Sequence, residues 1–271
     1  MCKVSVIMGV YNCKNFDQLT NSVKSIINQT YNDWEFIICD DGSDNGTYEH
    51  LQKLSSLDKR IKVFHYSNNK GLAYALNFCL SQARGYYIAR QDDDDVSCPE
   101  RFTKQIQFLK SRKSIEFVGC NAILFDKNGE WGTYLVKEEP CKEDFLWNNP
   151  FIHPSVIFRK SALIEVNFYR YAPETNRCED YDLFMRMYAK NLKGYNLQEY
   201  LYRYQFDRNQ KLKYRTFKDR FFEAKVRYLG YKNMNISFNG ILFVFKPLFL
   251  GLIPQWLYAK IRFLYSNLNR Q

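Results

Sequence analysis

The first hundred residues alternate between short apolar runs and stretches whose apolar residues recur every three or four positions. Val4-Ser5-Val6-Ile7-Met8, Trp34-Glu35-Phe36-Ile37-Ile38-Cys39, Ile61-Lys62-Val63-Phe64-His65-Tyr66 and Tyr86-Tyr87-Ile88-Ala89 are short, β-branched or aromatic, and bounded by turn residues, so they read as strands. Between them, three sets mark the buried faces of helices: Phe16, Leu19, Val23, Ile26 and Ile27; Tyr48, Leu51, Leu54 and Leu57; Leu72, Ala75, Leu76, Cys79, Leu80 and Ala83. Strands that alternate with helices in this way predict an α/β fold with a central, mostly parallel sheet and helices on both faces.

The residues at the strand ends narrow the chemistry. The first strand is not followed by G-x-G-x-x-G, and no G-x-x-x-x-G-K-[ST] occurs, so neither glycine-rich phosphate loop is present. Acids stand at two strand ends instead. Asp41 closes the second, and Arg90-Gln91-Asp92-Asp93-Asp94-Asp95 comes after the fourth. Four adjacent carboxylates repel one another, and a divalent cation relieves that repulsion. Mg²⁺ and Mn²⁺ take such oxygen ligands and bridge to phosphate. An isolated acidic run is equally a solvated loop. Asp41 beside Gly42 suits an Asx turn, or a hydrogen bond to a ribose or a base.

The formal net charge is +10, so the acids are set in a basic chain that favours an anionic partner. The eight cysteines are scattered with no C-x-x-C pair, which argues against a zinc knuckle or redox motif and fits a reducing compartment. Polar Asn12, Lys14 and Asn15 interrupt the N-terminal apolar stretch, so no secretory leader is expected.

Val4 to Asn12, Gln29-Thr30-Tyr31, Asp40-Asp41-Gly42-Ser43-Asp44, Gly71-Leu72-Ala73, and Ala89 to Asp95 with Pro99-Glu100-Arg101 after it resemble, in order and spacing, the successive blocks of family 2 glycosyltransferases. The resemblance runs from about residue 3 to about residue 205 and is nearest to the bacterial enzymes of capsule, exopolysaccharide and lipopolysaccharide synthesis. It implies a GT-A fold, a nucleotide-sugar donor (most often a UDP-sugar) and Mn²⁺ or Mg²⁺. It places Gly9, Val10 and Tyr11 beside the nucleoside and gives Asp41 the uracil or ribose. It makes Asp94 the principal metal ligand and Asp92 the first acid of D-x-D, with Asp93, on the donor side, and Asp95 as weaker candidates. Gln91 departs from the apolar residue common there.

Further along, Glu116 to Phe125 and Trp131 to Val136 flank a turn and predict a hairpin that makes the sheet mixed. Asn149 to Arg159 resembles a family segment whose histidine lines the site, so His153 is either a metal or phosphate contact or a structural histidine. Glu179 and Asp180 precede the helical face of Phe184, Met187 and Tyr188. Acids there stabilise a helix N-terminus. In the family an E-D pair at this position supplies the base, which gives Asp180 that role with Glu179 in support. Such a base takes the proton of the attacking hydroxyl.

A catalytic domain is therefore expected over 1–205, with donor binding in 1–98 and the acceptor part in 99–205, and a basic, aromatic-rich helical extension over 206–271. No Q-x-x-R-W block comes after it, which favours transfer of a single sugar. From Arg208 to Gln271 there are thirteen Lys or Arg and two acids. Ile241 to Leu257 is apolar but broken by Lys246, Pro247 and Pro254. It reads as an interfacial segment on an anionic membrane, and the enzyme as peripheral on the inner, cytoplasmic face. A glycan or polyprenyl-linked acceptor would fit there. Two other classes compete: a sugar-1-phosphate nucleotidyltransferase, whose glycine-rich basic loop is missing, and a non-catalytic nucleotide- or membrane-binding protein. No nucleic-acid-binding motif occurs.

Overall fold

The computed structural model describes residues 3–208 and 215–252. In chain order the elements begin β1 (Val4–Val10), α1 (Phe16–Ile27), β2 (Trp34–Asp40), α2 (Thr47–Ser55), β3 (Ile61–His65), α3 (Leu72–Gln82) and β4 (Tyr87–Arg90). Next come β5 (Val96–Ser97), α4 (Arg101–Ser111), the hairpin β6 (Ile115–Asp126) and β7 (Gly129–Tyr134), β8 (Ile157–Arg159), α5 (Lys160–Glu165), α6 (Glu179–Ala189) and β9 (Lys193–Gln205). After β9 come α7 (Phe217–Asn233), a 3₁₀ segment and α8 (Lys246–Leu252).

The described strands form one sheet in the order β3-β2-β1-β4-β8-β6-β9-β5, with β7 on β6. The first four neighbours are parallel, β8 runs antiparallel to both β4 and β6, and the sheet is mixed beyond it. Side chains alternate across a strand. Val6 and Met8 therefore join Phe36, Ile38, Leu19, Val23 and Phe102 on one face. Ile7 and Ile37 join Leu76, Cys79, Phe117, Phe158 and Phe184 on the other. The described cysteines are all free, and most are buried in these two cores.

The helix after β9 exposes several of its aromatics. Ala224, Arg227, Gly230 and Tyr231 are its buried stripe, while Phe217, Phe221 and Tyr228 face outward. The stripe is set by close approach to α6: a Cβ on Gly230 would lie 2.3 Å from Met185 Sδ. Arg227 is buried in the same contact, donating to the Leu146 carbonyl (3.1 Å) and lying 5.0 Å from the Tyr181 ring. Among the described residues no helix is long and apolar enough to cross a membrane. The expected interfacial segment to Leu257 runs past the described residues, which end at 252.

Candidate active site

Strands β1, β2 and β4 are parallel neighbours, so their C-terminal ends open along one edge, where open α/β sheets bind ligands. Gly9 and Val10 do not lie in the loop after the first strand. Pairing with β2 carries β1 on to Val10, opposite Asp40. Tyr11 is the residue that leaves the sheet, half exposed at this edge. Asn12 adopts φ 46°, a left-handed conformation that Asn tolerates. Its amide donates to Ser43 Oγ (2.8 Å) and its Oδ1 accepts from the Asp44 amide (3.1 Å), which ties the loop after β1 to the loop after β2.

Asp41 is next after β2 and is buried. Its Oδ1 accepts from the Tyr66 hydroxyl and the Lys70 amide (2.8 Å), and its Oδ2 from Asn69 Nδ2 (2.9 Å) and the Gly71 amide (2.7 Å). Four donors occupy the acceptor positions of a carboxylate. Asp41 therefore pins the turn between β3 and α3 against the sheet edge. The turn approaches so closely that a Cβ at position 42 would sit 2.6 Å from the Asn68 carbonyl carbon, and Gly42 itself has φ 74°. The Asx-type contact belongs to the preceding residue, since Asp40 Oδ2 accepts from the Ser43 amide (3.2 Å).

The acidic run rests on a buried polar frame. Gln91 donates to Ser22 Oγ (3.0 Å) and to the carbonyls of Asp92 (3.2 Å) and Asp95 (3.0 Å), and accepts from Ser97 Oγ (2.7 Å) and Arg101 Nη1 (3.2 Å). Arg90 is wholly buried and pairs with the Asp92 carboxylate. Arg101, also wholly buried, donates to the Arg90 carbonyl (2.9 Å). Asp92 and Asp93 are half-buried and Asp94 is exposed at the tip. Asp95 is buried, its Oδ1 accepting from the Gln205 amide (2.6 Å). Burial, then the charges of Asp92 and Asp94, hold its carboxyl well above the usual range.

The second acid pair lies at the start of α6. Glu179 and Asp180 occupy the first turn of α6. Cys178 is the N-cap residue and its side chain makes no capping bond, so the helix dipole still favours negative charge there. Asn149 Nδ2 donates to Asp180 Oδ2 (2.8 Å) and the Tyr181 amide to Oδ1 (2.7 Å). Burial raises the Asp180 carboxyl. Burial, then repulsion by Asp180, pushes Glu179 up to about 7.

Tyr169 is within electrostatic reach of both acidic groups. Burial, partly offset by Arg90, raises its hydroxyl, and the charges of Asp180, Glu179 and Asp92 add to the rise. Asn77 of α3 grips its backbone from both sides, at 2.8 and 3.0 Å. Its hydroxyl shares a 2.7 Å hydrogen bond with His153 Nε2. His153 is buried, and desolvation and then Arg90 drive its imidazole well below the usual range, so it is neutral.

Mn²⁺ or Mg²⁺ asks for oxygen ligands. Among the described residues no three His, Cys, Asp or Glu side chains already converge on one point, and His153 Nε2 is engaged by the Tyr169 hydroxyl. The donor set after β4 nonetheless fits a hard cation. It offers carboxylates alone, crowded enough to raise Asp95. Asp95 Oδ2 is buried without a well-formed partner, although the Tyr202 hydroxyl lies close enough to ease its charge. A cation here would relieve both strains.

Sequence reasoning assigns no role to Arg90, Arg101, Asn77, Asn149 or Tyr169. Arg90, Arg101 and Asn149 lie inside motif segments, where position was the one signal. Asn77 and Tyr169 have no local signal, since their roles depend on contacts across 92 residues.

Residues 5–171 match the model of the family described as glycosyl transferase family 2. EpsE of Bacillus subtilis, named as a glycosyltransferase, is 37% identical over 253 residues, covering 93% of this chain and 90% of its own. The UDP-Gal:alpha-D-GlcNAc-diphosphoundecaprenol beta-1,3-galactosyltransferase of Escherichia coli is 28% identical over 273 residues, covering 96% of each chain. Among solved structures, residues 1–349 of S. aureus TarS in complex with UDP-GlcNAc superpose with a TM-score of 0.68 at 20% identity, over 92% of this chain and 71% of that one. This likeness carries the fold.

Proposed function

The chain belongs to glycosyl transferase family 2 and is a glycosyltransferase of GT-A fold, and from that premise we propose that it is an inverting, metal-dependent enzyme moving one sugar from a UDP-sugar to a growing surface glycan or a polyprenyl-linked acceptor. The observation that carries the reading is the placing of Asp180. Its carboxylate is held by Asn149 at a helix N-terminus, beside Glu179. Tyr169 feels the charges of that pair and of Asp92 at the strand-end acids alike. The galactosyltransferase relative uses a lipid diphosphate-linked acceptor and the TarS structure holds a UDP-sugar, by their names. Both support the donor and acceptor classes proposed.

In this reading the acceptor hydroxyl attacks the anomeric carbon and gives its proton to Asp180. The bond from that carbon to the diphosphate oxygen breaks on the opposite face, which inverts the centre. Glu179 supports the base by sharing its burial and charge. Asp94 and Asp92 would hold Mn²⁺ or Mg²⁺, with Asp93 beside the donor. A bound cation supplies neutralisation of the charge that develops on the leaving diphosphate. Arg90 fixes the Asp92 carboxylate. Tyr11 and the turn that Asp41 pins form the nucleoside wall, at the ends of Gly9 and Val10.

The site of action proposed is the inner face of the cell membrane, with the protein bound peripherally. Phe217, Phe221 and Phe249 are exposed on the C-terminal helices, and the chain carries a net +10. Aromatics and cations together suit an anionic interface.

Calorimetric titration of UDP, with Mn²⁺ and with EDTA, tests the donor site. Binding is expected to need the metal and to be lost in Asp94→Asn. Asp180→Asn is expected to keep UDP binding and lose transfer by about 10³-fold or more, the scale of a missing general base. Transfer that survives in Asp180→Asn removes that residue as base.

A further inference from the structure

Arg177 stands two residues before Glu179 and adopts φ 65°, a left-handed conformation that a long side chain holds only when its surroundings impose it. It precedes Cys178, the N-cap residue of α6, so its conformation sets how the chain enters the helix that carries the acid pair. Two groups of the C-terminal extension hold it. Arg215 Nη2 donates to the Arg177 carbonyl (3.3 Å), and Asp219 Oδ2, in the first turn of α7, lies 3.8 Å from the Arg177 guanidinium. Arg215 is itself anchored by Glu223 (2.6 Å), and Glu223 by the buried Arg227 (3.1 Å). A further pair, Lys225 to Glu174 (3.0 Å), ties the same helix to the start of the same loop.

We propose that Arg215 is a positioning residue for the transfer reaction: it clamps the left-handed turn before α6 and presents a cation to Asp180, so that the C-terminal extension completes the active site. This rests on the reading of that pair as the base. The charged and titratable groups that bear on the pair are Arg90 from β4, Tyr169 from the loop before α6, Cys178 at the helix cap, and Arg215 from the extension, with Glu223 beside Cys178 and Arg215. Of these, Arg215 is the group that both bonds the turn and lowers the cost of ionising Asp180.

The test needs no turnover. Carbodiimide and glycine ethyl ester modify protonated carboxyls, and mass spectrometry reads the pH midpoint of labelling on the peptide carrying Glu179 and Asp180. Hydrogen exchange on the same full-length chain reads the order of residues 176–182. Arg215→Met is expected to move the labelling midpoint up by about 0.5 unit or more and to speed exchange over 176–182 about fivefold or more. The loops at 41–45 and 68–71 should stay unchanged. Arg215→Lys is expected to restore the midpoint. Glu223→Gln, which leaves Arg215 in place but unanchored, should move both readouts in the same direction by less, and serves if Arg215→Met does not fold. A midpoint unmoved in Arg215→Met, or moved equally in Arg215→Lys, overturns the proposal. Because neither readout involves transfer, an active Asp180→Asn would sink the base assignment separately.

Discussion

At the scale of single residues, Glu179 makes a pH prediction whose sign is fixed by its surroundings. Its carboxyl is raised from 4.5 to about 7, first by burial and then by Asp180. Between those values the unfolded chain has lost the proton that the folded chain keeps. Folding stability therefore falls as pH rises through the window and stays lower above it. Glu179→Gln cannot ionise, so it should melt ~3 °C higher than the parent at pH 8 and at the same temperature as the parent at pH 4. Calorimetric melts at the two pH values check this; an equal offset at both would assign the effect to packing. Gln91 makes a different prediction. It is wholly buried and makes five hydrogen bonds beneath the acidic run. Gln91→Leu matches its volume but takes the acceptor from the Ser97 hydroxyl and a donor from the Asp95 carbonyl, and a buried group left unsatisfied costs ~1–3 kcal/mol. Urea unfolding should show a loss of about 2–3 kcal/mol. A smaller loss would mean that the frame reorganises around leucine.

At the scale of elements, periodicity was the readable signal, and its reach is visible in where it stopped. The strands from Val4, Trp34, Ile61 and Tyr87 and the helices between them lie where the apolar pattern puts them, because each buries a face that local sequence must supply. Boundaries shifted where pairing decided them: β1 runs on past Met8 because β2 offers partners as far as Asp40. The acids at 92–95 and at 179–180 were legible as motifs, but the buried frame of Arg90, Gln91 and Arg101 was not. A polar residue is buried for tertiary reasons that leave no trace in spacing. In α7 the aromatics Phe217 and Phe221 lie outward, and Gly230 makes the contact with α6 because a glycine lets two helix backbones approach. Gly230→Val would push into Met185, which is itself buried. Overpacking of this kind costs ~1–3 kcal/mol. Hydrogen exchange over 217–233 is therefore expected to rise while the sheet stays protected, and uniform protection throughout would show that Met185 yields without cost.

On the scale of the whole molecule, charge and exposed apolar surface meet on the C-terminal helices. Phe217, Phe221, Lys225, Tyr228 and Lys232 fall at intervals of three and four along α7 and are all exposed. One stripe therefore combines three aromatics with two lysines. Phe249 and Leu252 of α8 are exposed as well. A Cβ at Gly251 would lie 2.7 Å from Arg220 Cδ and 3.8 Å from Phe217 Cδ2, so α8 lies against the start of α7. The buried stripe of α7 is already used on α6, so this outer face is the part of the extension left to meet another surface. If that surface is an anionic bilayer, two terms drive binding and can be separated. Each Lys or Arg near anionic lipid adds ~1 kcal/mol, a term that salt removes as the Debye length falls from ~10 Å at 0.1 M to ~3 Å at 1 M. Each inserted Phe adds ~1.5–3 kcal/mol that salt does not remove. The full-length chain is expected to sediment with vesicles containing phosphatidylglycerol and not with phosphatidylcholine alone, and to lose most binding at ~1 M salt. Phe217→Ser with Phe249→Ser should weaken binding about tenfold or more at low salt, with the folded core unaffected because both side chains are exposed. Binding that ignores lipid charge, or that survives the double substitution unchanged, would detach this face from the membrane.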